Sequence, residues 1–461
     1  MHRLLLIAIA TSTGTPPATL LAGQVLDVVG DVYRPIVADR VNPQRAEQLF
    51  EQGRAAAEAG EVSAALQLAT AALRHDPGHA GARQVLGYEN VGGRWLTAFQ
   101  RKQVERGFVW DPRFGWVRAD DLPRYEAGER PPSRGRRWVS AAADAERHAL
   151  IEEGWRVRTD HFQVTTNHSL EAAAVIGAEL EQLFQVWRQL FAGYYLGDAE
   201  VRARFVGTRT ARLRSRPFNV FYHRTREGYI AHLRNKQPRI EITEGIYFDD
   251  LREAHFFASE EGGVGDRVRR EEEVSLARPA LRLPPSAFHE AVHQLFQESK
   301  GARRGVGGRD NFWALEGVAC YFESLTPLGD GRYAIGGVDA GRLPNARHRL
   351  LVDDYLVPLE AMASLGMRDL QRRSDLPRFY GQAAAVATFL MHAGAPAKAG
   401  GTRREAFVRY LADLYGGRSR PDSLVRVLGE PWADLERSYR RWMADPTLLP
   451  APGPMPPTPP R

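Results

Sequence analysis

LPPSAFHEAVHQLFQE, residues 283–298, reads as a helix that opens on two prolines and carries two histidines on one face. Pro284 and Pro285 end whatever precedes, Ser286 is in place to cap, and helix-forming residues continue to Glu298. His289 and His293 stand four apart, so their imidazoles project about one turn apart, the separation at which a single tetrahedral Zn2+ is gripped by two nitrogens. Glu290, beside the first histidine, then reaches a water at that ion without binding the ion itself, and Phe288, Ala291, Val292 and Leu295 bury the helix. The H-E-x-x-H pattern also arises by chance on ordinary helices, so a second segment has to decide.

That segment is DNFWALEGVACYFESL, residues 310–325, another helix, capped by Asp310 or Asn311. Glu316, Cys320 and Glu323 share one of its faces, and Leu315, Val318, Phe322 and Leu325 form the apolar one. A carboxylate on an adjacent antiparallel helix is the complement that two histidines need for a zinc site with one open position, which makes Glu316 the candidate third ligand. Ligating imidazoles commonly donate their other N–H to a carboxylate, a role open to Glu323. Cys320 is expected to be a small buried residue under the site. The metzincin pattern wants Gly and His where this chain has Phe296 and Ser299, and is excluded.

WALEGVACYFE resembles the W-x-x-E-G-x-A-x-Y-x-E helix of the aminopeptidase branch of the gluzincins, in the peptidase MA clan, matching at Trp313, Glu316, Gly317, Ala319, Tyr321 and Glu323. The resemblance extends over about residues 145–445 and to a family of uncharacterised exported proteins within that clan. It implies a zincin-like fold, Zn2+ as cofactor, His289, His293 and Glu316 as its ligands and Glu290 as the catalytic base. It further implies that Tyr380, opening YGQAAAVATFL, stabilises the oxyanion, although Gln382 and Ala383 replace the usual Lys-Gly. Two departures stand out. The 22 residues between His293 and Glu316 make a longer gap than in the aminopeptidases, with the excess in KGARRGVGGRD, and no G-x-M-E-N motif is present to anchor a substrate amino terminus.

Working outward, HFQVTTN alternates like a strand, and SLEAAAVIGAELEQLFQVWRQLF keeps an apolar helical stripe through Ile176, Leu180, Leu183, Phe184 and Trp187. PFNVFYH, RIEITEGIYF and HFFA read as further strands, 259–282 as a charged loop, and the remainder as mostly helical up to Trp442. Strands and a helix followed by helices argue for an α+β domain: a small mixed sheet, the H-E-x-x-H helix and a C-terminal helical part.

Ahead of it, residues 40–91 carry a faint 34-residue period in which Asn42-Pro43 recurs as Asp76-Pro77, Ala46 as Ala80 and Gly53 as Gly87. This resembles a tetratricopeptide unit, with two helical runs broken at Gly60, and is a candidate surface for a protein partner. Residues 92–127 read as a small β module whose Trp95, Trp110 and Trp116 pack its core, residues 128–144 as a linker, and 446–461, with 8 prolines, as a disordered or polyproline tail.

The first 23 residues have a short basic head, an apolar run from Leu4 to Ala10 and small residues at Ala22 and Gly23, the pattern of a signal peptide, so the protein is expected to be exported. No apolar run approaches the about 18 residues of a membrane span. Cys320, the sole cysteine, rules out an internal disulfide. The 62 basic and 56 acidic side chains are interspersed, leaving no basic stripe to track a phosphate backbone, so no nucleic-acid partner is expected. The expected activity is zinc-dependent hydrolysis of a peptide or protein substrate, with Glu290 as general base, at internal bonds because the amino-terminal anchor is missing. The alternative is a non-catalytic peptidase-like scaffold with a structural or vestigial zinc site and the helical repeat as its working surface.

Overall fold

The structure is a computed structural model, described for residues 23–28, 32–33, 41–132, 137–208, 216–258, 283–300, 302–303, 305–329, 331–337, 341–394 and 401–446. The signal peptide at 1–23, but for its last residue, the charged loop 259–282 and all but the first residue of the proline-rich tail lie outside the described residues.

The chain is a mixed α+β protein with small sheets. Its largest sheet has five strands in the spatial order Gly245–Phe248, Glu253–Phe257, Phe218–His223, Phe162–Thr166, Trp155–Arg158. The three inner strands run parallel and each edge strand is antiparallel to its neighbour. Parallel neighbours need a crossover, and helix Leu170–Leu190 is part of the one between Phe162–Thr166 and Phe218–His223. Ser169 caps that helix by accepting from the Ala172 N–H, and its stripe Ile176, Leu180, Leu183 and Trp187 is buried with Phe162, Val164, Phe218 and Val220 in the main core.

Three local readings differ from the structure. In RIEITEGIYF only Gly245–Phe248 is a strand; Arg239 takes a left-handed conformation (φ 61°) and Ile240–Ile242 forms a 3-10 turn whose Ile240 joins Tyr229 and Leu233 in a separate small core. Residues 128–144 are not a plain linker: Glu129–Arg130 pairs with Val139–Ser140, and a helix runs over Ala141–Arg147. Buried Arg130 reaches Glu171 at 2.7 Å and lies over the rings of Phe114 and Tyr125, so an arginine that composition assigns to solvent serves as an anchor. The stretch after Glu323 turns into a hairpin, Thr326–Gly329 with Arg332–Ile335, and Gln24–Asp27 adds a third strand to it.

The two helical runs of the amino-terminal period are Pro43–Glu58 and Val62–His75. The period does not continue, since the helix from Ala80 ends at Val85, and Gly53 lies mid-helix whereas Gly87 takes φ 94° at a helix end. Their apolar faces share a core with Ala192, Leu196, Val201 and Phe205, so the helix pair is docked on the rest of the chain. The β module starts ahead of residue 92: Glu89–Val91 pairs with Arg94–Leu96, and after helix Ala98–Glu105 a second hairpin sets Trp110 directly opposite Trp116, rings 5.9 Å apart. No helix among the described residues is long and apolar enough to cross a membrane.

Candidate metal centre

The H-E-x-x-H helix spans Pro285–Ser299. It starts one residue before Ser286 and has no side-chain cap: Pro285 occupies the first turn, where its missing N–H costs nothing. Ala287 to Phe296 are all buried. The helix contacts edge strand Gly245–Phe248 and strand Glu253–Phe257 on one side and helix Phe312–Phe322 on another. The latter is also buried along its whole length and begins after Asn311. Asn311 is not a side-chain cap; its amide accepts from the Tyr410 hydroxyl at 2.8 Å and donates to the Arg420 carbonyl at 3.0 Å, tying the helix start to the C-terminal helices. Gly317, next to Glu316, packs on helix Leu376–His392 so closely that a Cβ would lie 2.6 Å from the Ala383 carbonyl oxygen. This contact sets the depth of the Glu316 helix.

These elements bring His289, His293 and Glu316 together in the protein interior, each less than 3% exposed. His289 Nε2 lies 3.0 Å from His293 Nε2 and 3.3 Å from Glu316 Oε2, and His293 Nε2 lies 3.7 Å from Glu316 Oε1. Two ligands of one tetrahedral ion at about 2.0–2.1 Å stand about 3.3 Å from each other, which these separations bracket. Glu316 Oε2 is buried and accepts no hydrogen bond despite its proximity to His289. A buried carboxylate that turns one oxygen to each imidazole, with no hydrogen bond to Oε2, is costly unless a cation completes the set. The three side chains are positioned to hold a metal ion.

The charges on His293 and Glu316 fit that use. Burial lowers His293 to about 4, against the pull of Glu316, so its imidazole is neutral with a free lone pair near pH 7. Burial also disfavours charge on His289, but Cys320, Glu316 and Glu323 outweigh it and hold this imidazole well above its usual range, so an ion that binds here displaces the Nε2 proton. Glu316 stays below the ordinary carboxylate range because His293 and His289 overcome burial.

Glu290, also buried, sits at the edge strand. The Tyr247 backbone N–H donates to its carboxylate, its Oε2 has no partner, and Gly245 leaves room for its stem, since a Cβ there would stand 3.1 Å from Glu290 Cγ. Burial, with Glu316 adding to it against His289, raises Glu290 to about 7. This is where a group that takes and returns protons at neutral pH is most effective. Tyr380, on helix Leu376–His392, is buried within the field of Glu316, Cys320 and Glu290, and burial followed by the Glu316 charge pushes its phenol well above 10.

Behind the ligands, Glu323 Oε1 lies 2.8 Å from His289 Nδ1, and Cys320 Sγ is buried 3.7 Å from the same nitrogen. His289, Cys320 and Glu323 thus form a second grouping of ligand-type atoms around Nδ1. Arg342 already occupies Glu323 with two hydrogen bonds of 2.7 Å, so this grouping is a buttress to the first. Two contributors escaped the sequence reading. Arg342 stands 19 residues beyond Glu323 in a stretch without a motif, and the Tyr247 N–H is a backbone group that no side-chain pattern announces. Compared with protein-family models and with curated proteins, the chain matches none, so its functional reading rests on this geometry.

Proposed function

We propose that the protein is a zinc-dependent peptidase of the gluzincin type, with a zincin-like arrangement of the sheet edge, the H-E-x-x-H helix and the Glu316 helix. The observation that carries the reading is the convergence of His289, His293 and the orphaned Glu316 Oε2, with an unpartnered, proton-poised Glu290 on the same helix turn. Two imidazoles and a carboxylate are the donor set of catalytic zinc sites, which leave one position open. The ion, when bound, supplies Lewis acidity toward a carbonyl and an acidified water.

Glu290 removes the proton from the attacking water and hands it to the leaving amine; its Oε2 has no hydrogen-bond partner to compete for that proton, and Tyr247 steadies the carboxylate from the strand side. Tyr380, kept protonated by its surroundings, donates a hydrogen bond to the oxygen that becomes negative during attack. The substrate is an extended peptide paired with Gly245–Phe248, the edge strand of the sheet among the described residues, whose Tyr247 backbone group meets Glu290.

The test is hydrolysis of casein and of a peptide library by the purified chain, with a chelator and after zinc is returned. Chelator-sensitive cleavage restored by zinc supports the reading, and metal-independent cleavage or none at all with zinc bound overturns it.

A further inference from the structure

We infer that Arg342 is the positioning residue of the metal centre, fixing His289 through Glu323. The inference rests on the reading of His289, His293 and Glu316 as metal ligands. His289 has two nitrogens with different tasks: Nε2 faces His293 and Glu316, and Nδ1 faces Glu323 Oε1 at 2.8 Å. For Nε2 to offer a lone pair, the ring must carry its hydrogen on Nδ1 and hold its plane. A carboxylate does this only if it cannot rotate.

Arg342 prevents that rotation. Its Nε donates to Glu323 Oε2 and its Nη2 to Oε1, each at 2.7 Å, a planar fork that fixes both oxygens. Glu323 Oε1 therefore accepts from Arg342 and His289 together. The pair is enclosed, with side chains 14% and 5% exposed, so water competes poorly for either partner.

The backbone delivers Arg342 to this place. After Glu323 the chain leaves as the hairpin Thr326–Gly329 and Arg332–Ile335 and returns beside its own starting point. Ser324 fastens the return: its hydroxyl accepts the Gly336 N–H at 2.8 Å, and Gly341, with φ 59°, comes so close that a Cβ would lie 3.2 Å from Ser324 Cβ. Arg342 follows directly. A lysine here keeps the charge but offers a point donor in place of a fork.

The experiment compares the full chain with Arg342→Met, Arg342→Lys, Glu323→Gln and the Arg342→Met/Glu323→Gln pair. Zinc affinity is read by chelator competition between pH 6 and 8, and ligand geometry by the visible spectrum of the cobalt-substituted protein. Arg342→Met is expected to weaken zinc by about 10- to 100-fold and to shift the cobalt bands. Arg342→Lys should recover part of the loss, and the pair should be little worse than Glu323→Gln alone. Unchanged affinity and cobalt bands in Arg342→Met overturn the inference, as do independent, multiplying losses in the pair. Should Arg342→Met fail to fold, Arg342→Lys carries the test, and wild-type affinity and spectrum in it overturn the fork. A wild-type chain that binds no zinc overturns the metal reading itself, a result distinct from a zinc-binding wild type with an indifferent Arg342.

Discussion

His289 Nε2 and His293 Nε2 face each other across 3.0 Å in the interior, with a carboxylate oxygen of Glu316 beside them that accepts no hydrogen bond. One hydrogen can be shared between the two rings, but the acid oxygen stays orphaned, and burying such an oxygen costs about 1–3 kcal/mol. An ion that takes all three donors removes this cost, so metal binding and folding stability are linked.

Zinc should accordingly bind at one ion per chain and raise the unfolding temperature. At a free concentration of about 100 times Kd the expected stabilisation is about 2.7 kcal/mol. His293→Ala should lose both the bound ion and the response of the melting temperature to it. Elemental analysis with thermal melts checks this, and full zinc occupancy in His293→Ala would show that other residues hold it.

Glu290→Gln should keep zinc and lose hydrolysis, whereas Glu316→Ala should lose zinc affinity. Gly245→Val gives a sharper contrast, because it adds atoms where a Cβ already stands 3.1 Å from Glu290 Cγ and 3.3 Å from the His255 carbonyl oxygen. Displacing the base by about 1 Å is expected to cost about 100-fold in kcat with zinc occupancy unchanged. A Gly245→Val protein with wild-type kcat would mean that Glu290 needs no such fixed position.

How far these residues could be read in advance depended on whether their roles leave a periodic trace. His289, His293, Glu316 and Glu323 lie at helical spacings, so one face of each helix could be drawn from sequence and the structure brings those faces together. The strands Phe162–Thr166 and Phe218–His223 show period-two alternation and were legible for the same reason. Arg342 and the Tyr247 N–H come to the centre through a hairpin and a sheet edge, long-range packing that leaves no local pattern. Ser286 is not a cap because prolines serve that helix start, and Asn311 holds the expected N-cap position while its side chain makes its hydrogen bonds with Tyr410 and Arg420.

A second buried histidine pair sets an acid limit on the fold. His223 Nε2 lies 3.2 Å from His255 Nδ1, both at most 1% exposed, with the His232 ring 5.4 and 5.8 Å from theirs. Burial first, then neighbouring cationic groups including His232 and Lys236, lowers His223 to about 2 and His255 well below its usual range, even with Glu253 Oε2 3.4 Å from His255 Nε2. Because the folded values lie below the unfolded one, stability is complete above about pH 6.5 and falls as pH drops beneath it, by up to about 1.4 kcal/mol per pH unit for each histidine. Urea unfolding of the zinc-free protein at pH 5 and 7 should show this slope, and His223→Phe/His255→Phe should flatten it. An unaltered slope in that double variant would place the acid sensitivity elsewhere.

Cleavage should occur at internal bonds, and the decisive residue is Glu244. It stands one position before the edge strand, in the electrostatic field of Glu323 and Arg342, and is the acid to test as an anchor for a substrate ammonium. Such an anchor works through its negative charge. Here burial comes first in raising the Glu244 carboxyl above its ordinary range, and Glu323 adds to it while Arg226 and Arg342 oppose. Backbone pairing along Gly245–Phe248 recognises any extended segment and asks for no free amino terminus. N-acetylated and free-amine versions of a cleaved peptide should therefore be hydrolysed at the same bond within about threefold of each other, a difference of about 0.7 kcal/mol. Glu244→Gln should leave both rates within that range. Mass spectrometry of the products distinguishes the cases: residues released singly from free-amine peptides alone, with that activity lost in Glu244→Gln, would make the protein an exopeptidase and Glu244 its anchor.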